Sequence, residues 1–337
     1  MTKFIFGGEM WRNFTAMNYM HETAPFPTVF GYLAHRAPHF IHVVEVAGTW
    51  VAEIAAPLLA LFTGRRGRWV AFFSWCALQL GIQITANFGW LNLAALALGL
   101  VLLDDRMLAD AARWLRLPAL DAWLTSRVKD FRHPPVGARA LWGLRAALAL
   151  QFLVAVYFYA VAPPRIPPER MPAIIDETVR LFFAGLRSAN SYALYGNLER
   201  ERYEVEFIGS NDDGETWRSY EFRHKIQRTD AVAAFTSPWY PRFDAIMQQS
   251  RVSSSDPHLY HEVAAALLRR SPPVRDLFRR DPFPEKPPRI VRLPLHRYEF
   301  TDLRTRLETG NYWHKEYVGE FAVPLLIDAQ GQVVMSQ

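Results

Sequence analysis

Four polar side chains recur along one face of a predicted helix inside a long apolar stretch: His42, Glu45, Thr49 and Glu53. Ionisable groups at membrane depth are costly unless they are paired or face water, and by default they mark a functional site. One histidine and two carboxylates on a shared face could relay protons or bind a metal ion. This polar face is therefore the first place in the chain where chemistry could occur.

The same face has a structural interpretation, which we favour from the sequence. Its side chains could hold the helical bundle together by hydrogen-bonding to Gln79, Gln83 or Asn92 on neighbouring helices. The single cysteine, Cys76, lies in another apolar run. We interpret Cys76 as a packing residue, and a disulfide within the chain is excluded.

Three histidines precede the polar face, namely His21, His35 and His39, but no pair of them has the spacing of a metal-binding motif. We interpret them as surface residues and predict no metal ion and no other cofactor. The sequence also lacks a G-x-S-x-G nucleophile elbow, an H-E-x-x-H motif and a P-loop. These absences argue against hydrolases and NTPases, and we assign no catalytic residue.

The turn GSNDDGETW, residues 209–217, contains the S-x-D-x-G-x-T-W pattern that is typical of Asp-box hairpins in sialidase propellers. The pattern residues are Ser210, Asp212, Gly214, Thr216 and Trp217. A propeller would repeat the pattern in each blade, whereas this chain contains it once. We therefore predict a structural hairpin, capped by an aspartate and turned at a glycine, and not a glycosidase site.

The elements that position the polar face are predicted membrane helices in the first half of the chain. About 20 apolar residues at ~1.5 Å per residue cross a hydrocarbon core of ~30 Å. We predict a non-cytoplasmic N-terminal segment at 1–39 and a transmembrane region of about four spans at 40–162. The predicted spans are 40–62, 69–86, 88–103 and 141–162.

Basic loops predict the orientation of these spans. The sequence GRRGR at 64–68 and the Arg-rich loop at 104–140 fall on one side, which should be cytoplasmic. Everything after residue 163 then lies on the non-cytoplasmic side, outside a plasma or inner membrane or inside an organelle. The net charge of +5 is spread over loops and forms no nucleic-acid-binding patch.

A Pro-rich linker at 163–172 precedes a predicted soluble domain at 173–337. Apolar periodicity predicts helices at 173–187, 241–249 and 258–269, and strands at 203–208, 220–222, 289–300 and 317–323. The predicted fold class is an α-helical membrane bundle followed by a soluble α+β domain with antiparallel strands.

Two pairs of adjacent aromatic residues fall on predicted loops of the soluble domain. They are Trp239 with Tyr240, and Tyr312 with Trp313. Exposed aromatic side chains commonly anchor binding partners. We predict that these pairs contact a protein or lipid partner.

Several ordered blocks resemble the lipase maturation factor family. WRNFTAMNYMHETAPFP at 11–27 resembles its W-R-D-L-T-A-L-x-Y-H-Y-E-T-Q-P-x-P motif, and TANFGWLNLAALALGLVLLDD at 85–105 resembles its G-N-x-x-F-x-N hairpin with paired aspartates. The segment at 190–222 and YWHKEYVGEF at 312–321 are similar to later blocks. Residues 245–249 depart from the family pattern, because the usual W-x-M-W-F is replaced by AIMQQ.

The resemblance implies a membrane-anchored folding or assembly factor rather than an enzyme, with membrane lipids and a client such as a lipase as partners. Eukaryotic relatives are described as endoplasmic reticulum membrane proteins. Family members usually carry spans before the first block, so the chain is expected to be a short or incomplete member. The alternative function is a membrane-embedded enzyme that uses His42, Glu45 and Glu53 on a lipid-soluble or small substrate.

Overall fold

The computed structural model describes residue 3 and residues 8–130, 137–156, 177–178, 180–188, 198–253 and 257–336. The predicted linker at 163–172 lies outside the described residues, as do residues 157–162 of the fourth predicted span and part of the helix predicted at 173–187. The described chain is a helical N-terminal half followed by an α+β domain with antiparallel strands. This order agrees with the predicted fold class.

The N-terminal half contains short and long helices in alternation with tight loops. In chain order they are α1 (Gly8–Arg12), α2 (Ala16–Thr23), α3 (Val29–His35), α4 (His39–Phe62), α5 (Gly64–Thr85), α6 (Leu91–Leu102), α7 (Asp105–Trp114), α8 (Pro118–Asp130) and α9 (Ala138–Val156). A π-helical turn, Val51–Ala55, interrupts α4. Such turns widen a helix locally and often occur at functional sites.

Two helices in the described part of the chain, α4 and α9, are long and apolar enough to cross a membrane, where the sequence predicted about four spans. The third predicted span forms α6, whose 12 residues reach only ~18 Å. Helix α5 has sufficient length, but its arginines and glutamines lower its mean hydropathy. The predicted break between the second and third spans is confirmed, because α5 ends at Thr85 and α6 begins at Leu91.

Helices α4 and α5 form an antiparallel hairpin. Gly64 turns the chain between them with a φ of +61°, and a side chain at Gly67 would meet the carbonyl oxygen of Leu59. Arg65 and Arg68 at the start of α5 form ion pairs with Asp110 and Asp104, respectively. These ion pairs join the hairpin turn to α7, so the sequence GRRGR and the first residues of the second basic loop lie at the same end of α5.

The C-terminal domain contains two antiparallel sheets. Its strands are β1 (Arg202–Val205), β2 (Ile208–Ser210), β3 (Arg218–Ser219), β4 (Ile290–Arg292), β5 (Pro294–Phe300), β6 (Trp313–Glu320), β7 (Leu325–Ile327) and β8 (Val333–Met335). The strand order is β1-β5-β6 in one sheet and β3-β2-β4-β7-β8 in the other. Two regions of the sequence, 202–210 and 290–300, therefore each contribute one strand to each sheet.

The predictions of single strands at 203–208 and 289–300 are wrong in one respect. Each segment divides into two strands that belong to different sheets, as β1 and β2 and as β4 and β5. The chain crosses between the sheets at Phe207 and Leu293, whose side chains are fully buried in the core. Burial on both sides of the crossing gives the same apolar pattern as one continuous strand.

The helices of this domain are α10 (Arg242–Ser253), α11 (His258–Leu268), α12 (Pro272–Arg275) and α13 (Leu303–Thr309). The helices predicted at 241–249 and 258–269 are thus confirmed. Helix α11 buries Tyr260 and Leu267 in the main core and packs against β4 and β7. The return strand predicted at 220–222 lies at 218–219, and the strand predicted at 317–323 begins earlier, at Trp313.

Candidate functional site

Three side chains of the N-terminal half meet in one polar cluster: His21 on α2, and His42 and Glu45 on α4. The Glu45 carboxylate lies 3.1 Å from Nε2 of His21 and 3.0 Å from Nδ1 of His42. Both imidazoles are buried. One nitrogen or oxygen atom from each residue lies within 4.8 Å of those of the other two. The arrangement can share protons or bind a cation.

The polar face predicted along α4 divides into two parts. Thr49 donates its hydroxyl hydrogen to the main-chain oxygen of Glu45, one turn earlier in the same helix. Glu53 lies in the π-helical turn and forms an ion pair with Lys3. The predicted partners for this face were Gln79, Gln83 and Asn92, but the partners found are His21 and Lys3. Asn92 instead donates to the main-chain oxygen of Gln79.

The prediction that His21 is a surface residue is wrong, because the side chain is 7% exposed. Trp11, Ala16 and Met17 pack α1 and α2 against Val46 of α4. This packing places His21 next to the middle of α4. A helix of eight residues carries too little apolar periodicity to predict such a contact from sequence.

A cavity of about 350 Å³ lies beside the polar cluster, between α2, α4 and α5. His21 and Glu45 form part of its wall, together with apolar residues from all three helices, among them Met17, Met20, Leu78 and Ile82. The cavity is large enough for several water molecules or a small ligand. The cluster therefore has a free side that faces open space.

The segment after His21 joins the N-terminal half to the C-terminal domain. The Glu22 carboxylate accepts a hydrogen bond from the main-chain nitrogen of Phe300 on β5. Arg202 on β1 donates to the carbonyl oxygens of Glu22 and Ala24, at 3.0 and 2.8 Å. Burial raises the pKa of Glu22, although the hydrogen bond from Phe300 opposes this shift. We call these contacts the junction.

Arg202 also belongs to a buried ion-pair triad in the C-terminal domain. Its Nη2 lies 2.6 Å from Glu204, whose other oxygen lies 2.8 Å from the Lys225 ammonium. Burial disfavours the charged form of Glu204, but Lys225 and Arg202 outweigh this effect and keep the pKa of its carboxyl below the usual value. The ion pair with Glu204 on β1 therefore fixes the position of Arg202, which forms the junction contacts.

A second set of junction contacts comes from the loop between α5 and α6. The Asn87 amide donates to the carbonyl oxygens of Phe26 and Ala234, both at 3.0 Å, and accepts from the main-chain nitrogen of Thr236 at 2.9 Å. Asn87 is fully buried. Asn87 thus joins three segments, one of them in the C-terminal domain.

The hairpin at 209–217 forms a closed hydrogen-bonded turn. Asp212 accepts from the Ser210 hydroxyl at 2.6 Å and from the Thr216 main-chain nitrogen at 2.9 Å, and these bonds lower its pKa to about 2. Gly214 has a φ of +94°, a conformation that favours glycine. Arg292 lies over the ring of Trp217, at 5.0 Å from its centroid. All five pattern residues lie within this turn or pack on its strands.

The four aromatic residues predicted as partner contacts occupy different environments. Trp239 is 56% exposed, whereas Tyr240 packs on Phe26 and Tyr312 on Tyr32. The prediction for Trp313 is wrong, because this side chain is 1% exposed. It begins β6, stacks on Phe300 at 4.0 Å between ring centroids, and donates its indole hydrogen to the Ala231 carbonyl oxygen. A strand that starts four residues earlier than predicted removes Trp313 from the surface.

The fold and the junction define a class of membrane protein in which a helical region carries an α+β domain. The domain described as lipase maturation factor transmembrane domain matches residues 1–110, and the lipase maturation factor C-terminal domain matches residues 188–324. The chain belongs to the lipase maturation factor family.

Curated relatives agree with this assignment. The chain is 28% identical to lipase maturation factor 1 of Bos taurus, over 95% of this chain and 58% of that protein. It is 27% identical to lipase maturation factor 2 of Homo sapiens, over 92% of this chain and 55% of that protein. The chain thus spans little more than half the length of these relatives. No solved structure shows a significant match.

Proposed function

We propose that this protein is a membrane-anchored folding factor that assists the assembly of a lipase or another exported protein, without nucleotide or covalent chemistry. The observation that carries this proposal is the junction, which fixes the C-terminal domain to one end of the membrane helices. A domain held in this way presents its surface at a constant height above the membrane, where an exported client emerges.

The geometry of α5 supports the predicted orientation. The helix has 22 residues and so extends over ~33 Å, close to the thickness of a hydrocarbon core. Its first turn is tied to α7 through Arg65 and Arg68. Its last residue, Thr85, accepts a hydrogen bond from the Thr28 main-chain nitrogen, next to the junction. With the basic end in the cytoplasm, the C-terminal domain lies on the other side.

Exposed apolar side chains border the junction. Phe30 of α3 is 48% exposed, and Phe235 of the C-terminal domain is 53% exposed. The centroids of their rings lie 6.1 Å apart. Leu33 follows one helical turn after Phe30 and is also 48% exposed. Exposed apolar groups of this kind mark protein or lipid contacts. We assign this patch, the junction patch, to the client, with Trp239 as a further contact.

Co-expression with an exported lipase tests the function. The chain should raise the yield of active lipase, and the double substitution Phe30→Ser with Phe235→Ser should abolish that gain while the protein remains in the membrane at its normal amount. Met335→Ser is a matched control, because it removes an exposed apolar side chain from β8, the edge strand of the five-stranded sheet. Full lipase assembly with the double variant would refute the role of the patch.

Labelling with a membrane-impermeant thiol reagent tests the orientation. In a Cys76→Ala background, Gln330→Cys should react from the non-cytoplasmic side of intact cells or vesicles. Arg66→Cys, in the basic loop, should react only after the membrane is opened. The reverse pattern would contradict the proposed orientation.

A further inference from the structure

The polar cluster brings together three metal-ligating groups that the sequence keeps apart. His42 and Glu45 are neighbours on one helix, but His21 comes from α2 and meets them only in the folded chain. Two imidazoles and one carboxylate are a recurring ligand set for divalent transition metals, and they leave one or more positions open.

The two distances between Glu45 and the imidazoles are close to those between neighbouring ligands of a metal ion. Zinc binds imidazole nitrogen and carboxylate oxygen at about 2.0–2.2 Å, so neighbouring ligand atoms in a tetrahedral site lie about 3.3 Å apart. In the cluster, a Glu45 oxygen lies 3.1 Å from the His21 nitrogen and 3.0 Å from the His42 nitrogen. The three ligand atoms together lie within 4.8 Å of one another, so the two imidazole nitrogens must approach each other to share one metal ion.

The charge of the cluster also favours a cation. Among the described residues, the ion-pair partners of Glu45 are the two imidazoles, and Lys3 pairs with Glu53 instead. Glu45 is a half-buried carboxylate, and most of the other residues in the cavity wall beside it are apolar. A divalent cation offsets this charge and uses the acceptor atoms of both histidines.

The cavity supplies the remaining coordination position. His21 and Glu45 lie in the wall of the 350 Å³ space between α2, α4 and α5. A site with three protein ligands needs room for water or another small ligand, and the cavity offers it. The fourth side of the cluster is therefore not blocked by protein.

We propose that His21, His42 and Glu45 bind one divalent first-row transition-metal ion, of the zinc type, with an open position that faces the cavity. The site is independent of the proposed role in lipase assembly. It holds α2 against α4 next to the junction.

Metal content tests the site directly. Full-length protein purified in detergent is exchanged with zinc chloride, desalted and analysed by mass spectrometry for metals. We expect about one zinc ion per chain that resists desalting, in keeping with a three-ligand site. Glu45→Gln, which keeps the shape and a hydrogen-bonding group, should reduce the bound zinc at least tenfold, and His21→Ala should do the same.

Two substitutions are matched controls. Glu53→Gln removes the other carboxylate of the same helix face, and His258→Ala removes an exposed histidine of the C-terminal domain. Both variants should retain the zinc of the unchanged protein. If Glu45→Gln also retains it, or if the unchanged protein binds no more zinc than Glu45→Gln, the cluster is only hydrogen-bonded and the proposal is overturned.

A measurement on the unchanged protein covers the case in which a variant fails to fold. Zinc K-edge X-ray absorption of the loaded chain should show two imidazole nitrogens and oxygen ligands at about 2.0–2.2 Å. A shell without imidazole would overturn the assignment. A chelator should also lower the melting temperature of the loaded protein, and an unchanged melting temperature would count against a bound ion between α2 and α4.

Discussion

Arg202 of β1 hydrogen-bonds to the main chain of Glu22, a residue 180 positions earlier in the sequence. The same guanidinium forms an ion pair with Glu204, so one side chain belongs to both the junction and the buried triad. The Glu22 side chain in turn accepts from Phe300 of β5. The neighbouring strands β1 and β5 thus bind the main chain and the side chain of Glu22, respectively.

We expect Arg202→Met to destabilise the protein by about 3–5 kcal/mol, because it leaves a buried carboxylate with one partner fewer and frees two carbonyl oxygens. The midpoint of denaturant unfolding measures this loss. Arg297→Gln is the control, since that arginine pairs with Glu201 and Glu316 on the surface. Equal midpoints for the two variants would show that the triad and the junction do not stabilise the fold.

Asn87→Ala should loosen the second set of junction contacts and cost about 2–4 kcal/mol, because three hydrogen bonds of a buried side chain are lost. Limited proteolysis should then cut the segment near Thr236 faster than in the unchanged protein. Asn13→Ala, which removes bonds to Thr15 alone, is the control. Equal cutting rates in the two variants would refute the bridging role.

Asp212→Asn should destabilise the C-terminal domain in a pH-dependent way. Its pKa is about 2 in the folded protein against 3.8 ordinarily, so its stabilising effect is full above pH 3.8 and is lost as the pH falls through about 2. The difference in melting temperature between the unchanged and substituted proteins should therefore shrink towards pH 2. Asp213→Asn, at an exposed neighbour, is the control. A constant difference across this range would contradict the prediction.

Two tryptophans should separate stability from client contact. Trp313→Ala should cost about 3–5 kcal/mol, because it empties a buried site against Phe300. Trp239→Ala should leave the melting temperature nearly unchanged and lower the yield of active lipase in co-expression. If Trp239→Ala has no effect on lipase yield, Trp239 is not a client contact.

Local patterns predicted a large part of the fold. The apolar run of α4, the break at Thr85–Leu91 and the helices α10 and α11 follow from periodicity and turn residues. The hairpin residues at 209–217 were recognised because each of them acts within nine positions of the others. These features depend on contacts between near neighbours, which a sequence pattern records.

Long-range packing decided the rest. The sequence marked His42 and Glu45 as a polar face, but only the docking of α2 on α4 adds His21 to them. The two-sheet division at Phe207 and Leu293 has the same cause, because burial in a shared core looks like one strand in sequence. By itself, the sequence determined the helices α4, α10 and α11, the family and the polar face of α4. Tertiary structure alone decided which distant partners complete each site, because side chains far apart in sequence meet only through packing.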